Sequence, residues 1–426
     1  MAGIHRTRPA AEAIAAANGA PARDLGDGVW MSQGLSNSYL IRASRARVVI
    51  NAGMGFEGGF HRANFDAIDT SPIAALIFTQ GHYDHVGGAR HLSELHTELI
   101  AQENFAVWRA DNERLEQFRS RNAAFAWIDA IIAAMDHARR HGAGDLSQAR
   151  PEPTLTFRDH HVFDLDDGRR LELIATPGGE TFDSSVVWLP ESRTLFSGNL
   201  FGPLFGHVPN LVTIRGDRYR DALSYIASLD TVLDLQPERL ITGHFDPIEG
   251  AATIREELQT LRAAMQSVHD QTVAGMNNGA TVHELMRDVR VPSDLDVGEG
   301  YGKTSWNVRA IWENYAGWFH HRSTTELYGV PPLAVAPDLV AAAGADIVAA
   351  AGTTALVAAA RDRLAADEPV AALHLTDLVL NVDPSEAGAL AVARSATELL
   401  LVRSSNFWET AWLRRSLDKL TAAARA

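Results

Sequence analysis

The chain has 426 residues, 46 % apolar and 21 % charged, with a formal net charge of −15 and no cysteine. That is the composition of folded globular chains, and the length suits two or three domains. Without cysteine there are no disulfides, no thiol nucleophile and no thiolate zinc site.

The acidic balance, with no Lys/Arg run, argues against a nucleic-acid partner, because a phosphate backbone is met by clustered cations. It gives no help toward anionic membranes either. No stretch approaches the roughly 20 apolar residues of a membrane span. Met1–Leu25 is alanine-rich but broken by Arg6, Arg8, Pro9 and Arg23, and has no apolar core of signal-peptide length. A cytoplasmic chain is expected.

Gly28–Gly53 reads as two or three strands separated by turn residues. Residues 73–80, IAALIFTQ, form a short apolar run that delivers a polar loop, GHYDHVGGARHL, to a sheet edge, with a helix from about Arg90. Apolar residues at three- and four-residue spacing predict helices across Glu103–His141. Strands return after Pro151, with Asp167-Gly168 as a hairpin turn. A helix at about Tyr219–Leu235 and a strand through RLITGHFDPI follow. Two β-rich halves, each closed by helices, predict an α/β sandwich over residues 1–250.

After Gly250 strand signals nearly vanish, so the boundary is expected there and residues 251–426 form an all-α domain. Helices are expected in Ile254–Met276 and Thr304–Phe319, with an Ala/Leu-rich helical tail from Pro337. Residues 369–402 read as a helical hairpin, with Asp383 as N-cap and Pro384 in the first turn of its second helix.

The chemistry concentrates in Thr79-Gln80-Gly81-His82-Tyr83-Asp84-His85-Val86-Gly87-Gly88. Imidazole nitrogens and a carboxylate oxygen within four residues of a loop suit zinc. Three further strand ends carry polar loops: Thr176-Pro177-Gly178-Gly179-Glu180, Gly198-Asn199 and Gly243-His244. Four such loops in this order are far more specific than a histidine pair alone.

Together these motifs resemble the metallo-β-lactamase superfamily, whose signature is Thr-His-x-His-x-Asp-His followed by Thr-Pro-Gly, Gly-Asp and Gly-His loops. The resemblance covers about residues 25–250 and implies an αββα fold with one or two metals that activate water. Residues 210–223 and 301–332, with the helical tail, are similar to the alkyl sulfatase branch. That implies a homodimer acting on sulfate esters or related esters, with Glu180 as a ligand. Alkyl sulfatases usually continue into a sterol-carrier-like domain, which is not recognisable before Ala426.

Three positions depart from the pattern. Gln80 replaces the first signature histidine, Asn199 the strand-end acid that commonly bridges two metals, and Asn51 an early structural aspartate. Amides are weaker zinc ligands than imidazole or carboxylate. One tight metal is therefore expected at Asp84, His85 and His244. A second, weak or absent, would lie at His82 and Glu180 with help from Gln80 or Asn199. Zinc is the expected metal and iron an alternative, since two imidazoles and a carboxylate also suit non-haem iron.

Asp84 is expected to ligate the metal and orient the attacking water. Arg215 is the candidate for an anionic small-molecule substrate, or else simply pairs with Asp217. Phe201 and Phe205 are candidates for an apolar substrate wall, and His207 and Asn210 lie in the same loop. Arg309, the pairs His160-His161 and His320-His321, and the aromatic group around Trp306 and Trp312 read as structural or surface residues. Alternatives to the hydrolase are an iron-dependent oxidoreductase on this fold and a dimeric binding protein with a decayed site.

Overall fold

The computed structural model describes residues 3–320, 324–336 and 351–425. They fall in two compact units, Met1–Gly317 and Trp318–Ala426.

The first unit holds two sheets. The seven-stranded sheet runs in sequence order: β1 (Arg23–Gly26), β2 (Val29–Ser32), β3 (Ser38–Arg42), β4 (Arg47–Ile50), β5 (Ile73–Ile77), β6 (Glu98–Gln102) and β7 (Leu155–Phe157). Neighbours from β1 to β4 are antiparallel, and from β4 to β7 parallel. The six-stranded sheet comprises β8 (His160–Asp164), β9 (Arg170–Ala175), β10 (Ser185–Leu189), β11 (Thr194–Gly198), β12 (Arg239–Thr242) and β13 (Ile248–Glu249), with β11 and β12 parallel. The β8–β9 hairpin turns at Asp167-Gly168 as expected, with Gly168 at φ 89°.

Side-chain alternation explains the layering. Successive strand residues point to opposite faces. Ile41, Val48 and Ile77 of the first sheet meet Val187, Phe196 and Ile241 of the second in one core between the sheets. Their neighbours Leu40, Val49 and Leu76 face outward and are covered together with Phe65 of helix α1 (Gly58–Asp66). On the other side Val186, Trp188, Leu195 and Leu240 pack with α6 (Ala222–Leu235) and α7 (Ala251–Asn277). Strands buried on both faces read as continuous apolar runs because they sit inside an αββα sandwich.

Between these lie the short helices α2 (Tyr83–Val86) and α3 (Ala89–Leu92), then α4 (Phe105–Arg114) and the long α5 (Glu116–Arg140). The helix expected from Tyr219 begins at Ala222, where Asp221 caps it by accepting from Ser224 N.

The first unit continues well past Gly250. Helix α7 buries Ile254, Leu258, Leu261, Met265 and Val268 in the same cluster as Leu240, and Val308 and Ile311 of the helix Thr304–Ala316 join them. Strand signals vanish there because helices complete the sandwich, and the compact unit ends at Gly317.

The second unit contains helices Ala351–Ala365, Pro369–Val382, Ala387–Arg403 and Phe407–Ala423. Small buried residues, among them Ala360, Ala372, Ala389 and Ala396, pack together with Val357 and Val379. The expected hairpin is present, but its second helix is capped by Glu386, whose carboxylate accepts from Ala389 N. Asp383 instead closes a turn, accepting from Ser385 N at 2.9 Å. Pro337, at the head of the expected tail, and His321 lie outside the described residues. Among the described residues no helix is long and apolar enough to cross a membrane.

Candidate metal centre and substrate cavity

The site forms where β4, β5, β11 and β12 end. After β4, Asn51 turns at φ 59°, and its Oδ1 accepts from Thr79 N at 3.0 Å and Thr79 Oγ1 at 3.1 Å. An amide oxygen thus fills the structural role expected of an aspartate, and fixes the point where β5 opens into the histidine loop. Two glycines let the strand ends close up. Gly198 has φ 51°, and a Cβ there would meet Thr79 Oγ1 at 2.4 Å; a Cβ on Gly243 would meet Asn199 Oδ1 at 2.3 Å.

Asp84, His85 and His244 come together with ligand atoms all within 4.8 Å of one another. Both imidazoles turn Nε2 toward Asp84 Oδ2, His85 at 3.3 Å and His244 at 3.9 Å. His244 Nδ1 donates to the Leu35 carbonyl at 2.6 Å, which leaves Nε2 with its lone pair free. Ser36 Oγ lies 3.4 Å from His85 Nε2. Burial pushes the Asp84 carboxyl up, but His85, His82 and His244 outweigh it and hold its pKa below the usual value. Burial also lowers the pKa of His85, against the pull of Asp84. The trio therefore presents an ionised carboxylate and a neutral His85 ring at neutral pH.

His82 and Glu180 lie beside this trio but are engaged differently. The Gln80 carboxamide sits 2.6 Å from His82 Nδ1, and Arg215 Nη2 sits 3.0 Å from His82 Nε2. Glu180 Oε2 accepts from Asn199 Nδ2 at 3.3 Å, and Oε1 from Arg220 Nη1 at 3.4 Å. Arg215 Nε donates to Asp217 at 2.6 Å, and Arg119 Nε holds the other oxygen of Asp217 at 2.9 Å. Arg215 thus both pairs with Asp217 and reaches the site. Burial, then the Arg215 charge, holds the His82 pKa well below its ordinary value. Trp108 packs against the His82 ring with centroids 4.8 Å apart.

His82, Asp84, Glu180, Asn199, Arg215 and His244 all line one cavity of 430 Å³. Its apolar wall is α5, through Ala123, Ala124, Trp127, Ile128 and Ile131. The expected wall of Phe201 and Phe205 is not on the cavity: both rings are buried in the sheet–helix core, 5.0 Å apart. His207 accepts from Gly300 N at 2.8 Å, and Asn210 from Thr213 N at 3.2 Å, so both brace loops. Arg309 pairs with Glu313 on its own helix at 2.7 Å.

A model of the metallo-beta-lactamase superfamily matches residues 31–244, half of the chain. The chain belongs to this superfamily. A second model, alkyl sulfatase dimerisation, matches residues 281–418. A linear primary-alkylsulfatase of a Pseudomonas strain is 29 % identical over 327 residues, covering 72 % of this chain and 60 % of the relative. Alkyl/aryl-sulfatase BDS1 of Saccharomyces cerevisiae is 24 % identical over 344 residues, covering 75 % and 52 %. The chain thus spans between half and three-fifths of the length of these relatives. The solved stereoselective inverting sec-alkylsulfatase Pisa1 from Pseudomonas sp. shares the fold, with a TM-score of 0.77 at 22 % identity over 94 % of this chain and 65 % of that one.

Within this superfamily fold, Arg119 carries no motif, and Tyr301 lies in a recognisable segment without being singled out by it. Asp217 and Arg119, which fix Arg215, lie in separate segments, and their pairing is a product of the fold. Tyr301, also on the cavity, follows the Gly298–Gly300 turn. The α5 wall did leave a signal, apolar residues at helical spacing, but the same spacing marks a helix that faces a core.

Proposed function

We propose that this chain is a metal-dependent hydrolase of a sulfate ester or closely related ester, with zinc held by Asp84, His85 and His244. One observation carries this: the three ligand side chains meet where Asp84 and His244 line a cavity that also presents a held guanidinium and an apolar wall, with His85 buried behind them. The alkyl sulfatases among its relatives support the substrate class.

The donor set fits zinc. Ligand atoms around tetrahedral zinc lie about 3.3–3.6 Å apart; Asp84 Oδ2 lies 3.3 Å from His85 Nε2, within that range, and 3.9 Å from His244 Nε2, a small side-chain adjustment beyond it. Three protein ligands leave an open position, the arrangement of catalytic zinc. When bound, the metal supplies Lewis acidity and a water that ionises near neutral pH.

The chain's own groups do the rest. Asp84, ionised at neutral pH, ligates without first losing a proton. Arg215 offers N–H donors to sulfate oxygens, for which a planar guanidinium is well matched. Burial raises the Tyr301 pKa, so its phenol keeps a proton to donate within the cavity. Trp127, Ile128 and Ile131 take the organic tail and exclude water beside it. The dimerisation match supports a homodimer.

The test is product analysis on the zinc-loaded chain with octyl sulfate, octyl phosphate and an octanoate ester. Release of inorganic sulfate, abolished in Asp84→Ala, is the expected result. Turnover of another ester alone would move the substrate class, and no turnover of any by a metal-bound protein would count against an enzyme of this kind.

A further inference from the structure

Arg215 and His82 define a relationship that the metal reading leaves unexplained. A guanidinium can only donate hydrogen bonds. His82 Nε2, 3.0 Å from Arg215 Nη2, must therefore accept, which places the ring proton on Nδ1. Nδ1–H then finds its nearest partner in Gln80, whose two amide atoms are interchangeable by a flip, with Glu180 Oε2 farther off at 3.7 Å. Turning the Gln80 oxygen to Nδ1 provides that acceptor, and it also relieves Gln80 Oε1, which is buried without a partner in the opposite orientation. One proton arrangement thus satisfies all three groups, and in it His82 has no lone pair left for a metal.

The other groups near His82 are committed as well. Glu180 is held by Arg220 and Asn199. The Arg215 cation is fixed by Asp217, itself held by Arg119. A second dication here would displace Arg215 or sit against its charge in a buried setting, where like charges repel strongly. Among the described residues, Asp84, His85 and His244 are the one group of three His or acidic side chains placed to hold a metal.

We propose that Arg215 stands in place of a second metal: the centre binds one metal ion, and the guanidinium supplies the fixed positive charge that faces the substrate anion. This rests on the hydrolase reading above but makes a separate claim about stoichiometry. Gln80 supports it by accepting from His82 Nδ1, as a histidine at that position would not if it bound a metal itself. Arg215 Nε and Nη2 serve Asp217 and His82, and the cavity-lining side chain turns its remaining donors to the substrate.

The test is zinc stoichiometry by equilibrium dialysis and elemental analysis on the full chain, for wild type, Arg215→Ala and Gln80→His/Arg215→Ala. Wild type is expected to saturate at one zinc per chain. Arg215→Ala removes the donor that keeps the ring proton on Nδ1, so Nδ1 becomes free to ligate beside Glu180 Oε2, 3.7 Å away. It should gain a second, weaker equivalent, and the double variant, with a histidine beside that same nitrogen, should bind it at least tenfold more tightly. Two equivalents in wild type, or one in every folded variant, overturns the proposal. No zinc on wild type removes the metal centre itself, and the underlying reading falls with it. Cobalt(II)-loaded wild type needs no variant: an uncoupled single-ion magnetic signal is expected, and a coupled pair overturns the proposal.

Discussion

His244 Nδ1 lies 2.6 Å from the carbonyl oxygen of Leu35, and this bond decides which face of the ring can bind a metal. The N–H is spent on the backbone, so Nε2 is left as a lone pair directed toward Asp84. A ligand that binds only the folded state stabilises it in proportion to its affinity, by about 2.7 kcal/mol at 100 times Kd. Saturating zinc should therefore raise the melting temperature of the metal-stripped wild type. In His244→Ala the rise should disappear, with affinity falling by more than the roughly 10–100-fold typical of losing an outer hydrogen-bond partner. Calorimetric scans with and without zinc check this, and an unchanged zinc response in His244→Ala would remove His244 from the ligand set.

Leu35 is itself held from behind. Its N–H donates to Glu57 Oε1 at 2.9 Å, and Ala17 N donates to the same oxygen at 2.8 Å. Burial raises the Glu57 pKa to about 7, an effect only partly offset by these N–H groups and that of Met54. The folded state thus holds the proton more tightly than the unfolded chain. Its stabilising contribution is complete below the usual pKa of 4.5 and is lost as pH rises through about 7. The gap corresponds to roughly 3 kcal/mol. Glu57→Gln copies the neutral acid, keeping a carbonyl oxygen for both donors. Urea unfolding between pH 5 and 8 is expected to show a flatter stability profile in this variant, and greater stability than wild type at pH 8. Identical slopes would show that Glu57 is not the titrating group.

What could be read from the sequence follows from how local each interaction is. His82, Asp84 and His85 lie within four residues, and His244 follows a strand and a glycine, so their donor chemistry is visible in short motifs. The Arg215–His82 contact spans 133 residues and depends on a loop conformation that no motif records. The α5 wall was visible as a helix but not as a wall, because Ala124, Trp127, Ile128 and Ile131 have the spacing of any core-facing surface. The boundary expected at Gly250 marked a change of secondary structure within one unit. Asn51 read as a loss, yet its acceptor oxygen is the feature the fold uses.

That last point can be measured. Removing the Asn51 side chain leaves Thr79 N and Oγ1 without their buried acceptor, at about 1–3 kcal/mol for each unpaired group. An alanine at φ 59° adds about 1–2 kcal/mol of backbone strain. Asn51→Ala should lose about 3 kcal/mol or more in denaturant unfolding and bind zinc more weakly, since Thr79 anchors the ligand loop. Asn51→Asp keeps both acceptor bonds and should lose much less. Equal losses in the two variants would mean that the acceptor is not what matters at this position.

The α5 wall makes the final prediction. Ile128 is 43 % exposed although it faces the cavity, so apolar surface there is available to a ligand rather than spent on folding. Burying one methylene is worth about 0.8 kcal/mol, or roughly fourfold in affinity. KM for a series of alkyl sulfates should fall by up to about that factor per added carbon until the wall is covered. Ile131→Asp places a charge along the path, so the chain-length dependence should flatten while turnover of the shortest substrate stays near the wild-type value. Because none of the three ligand side chains comes from α5, zinc stoichiometry should not change. A uniform loss across all chain lengths would instead mean that α5 supports the site as a whole and does not hold the substrate tail.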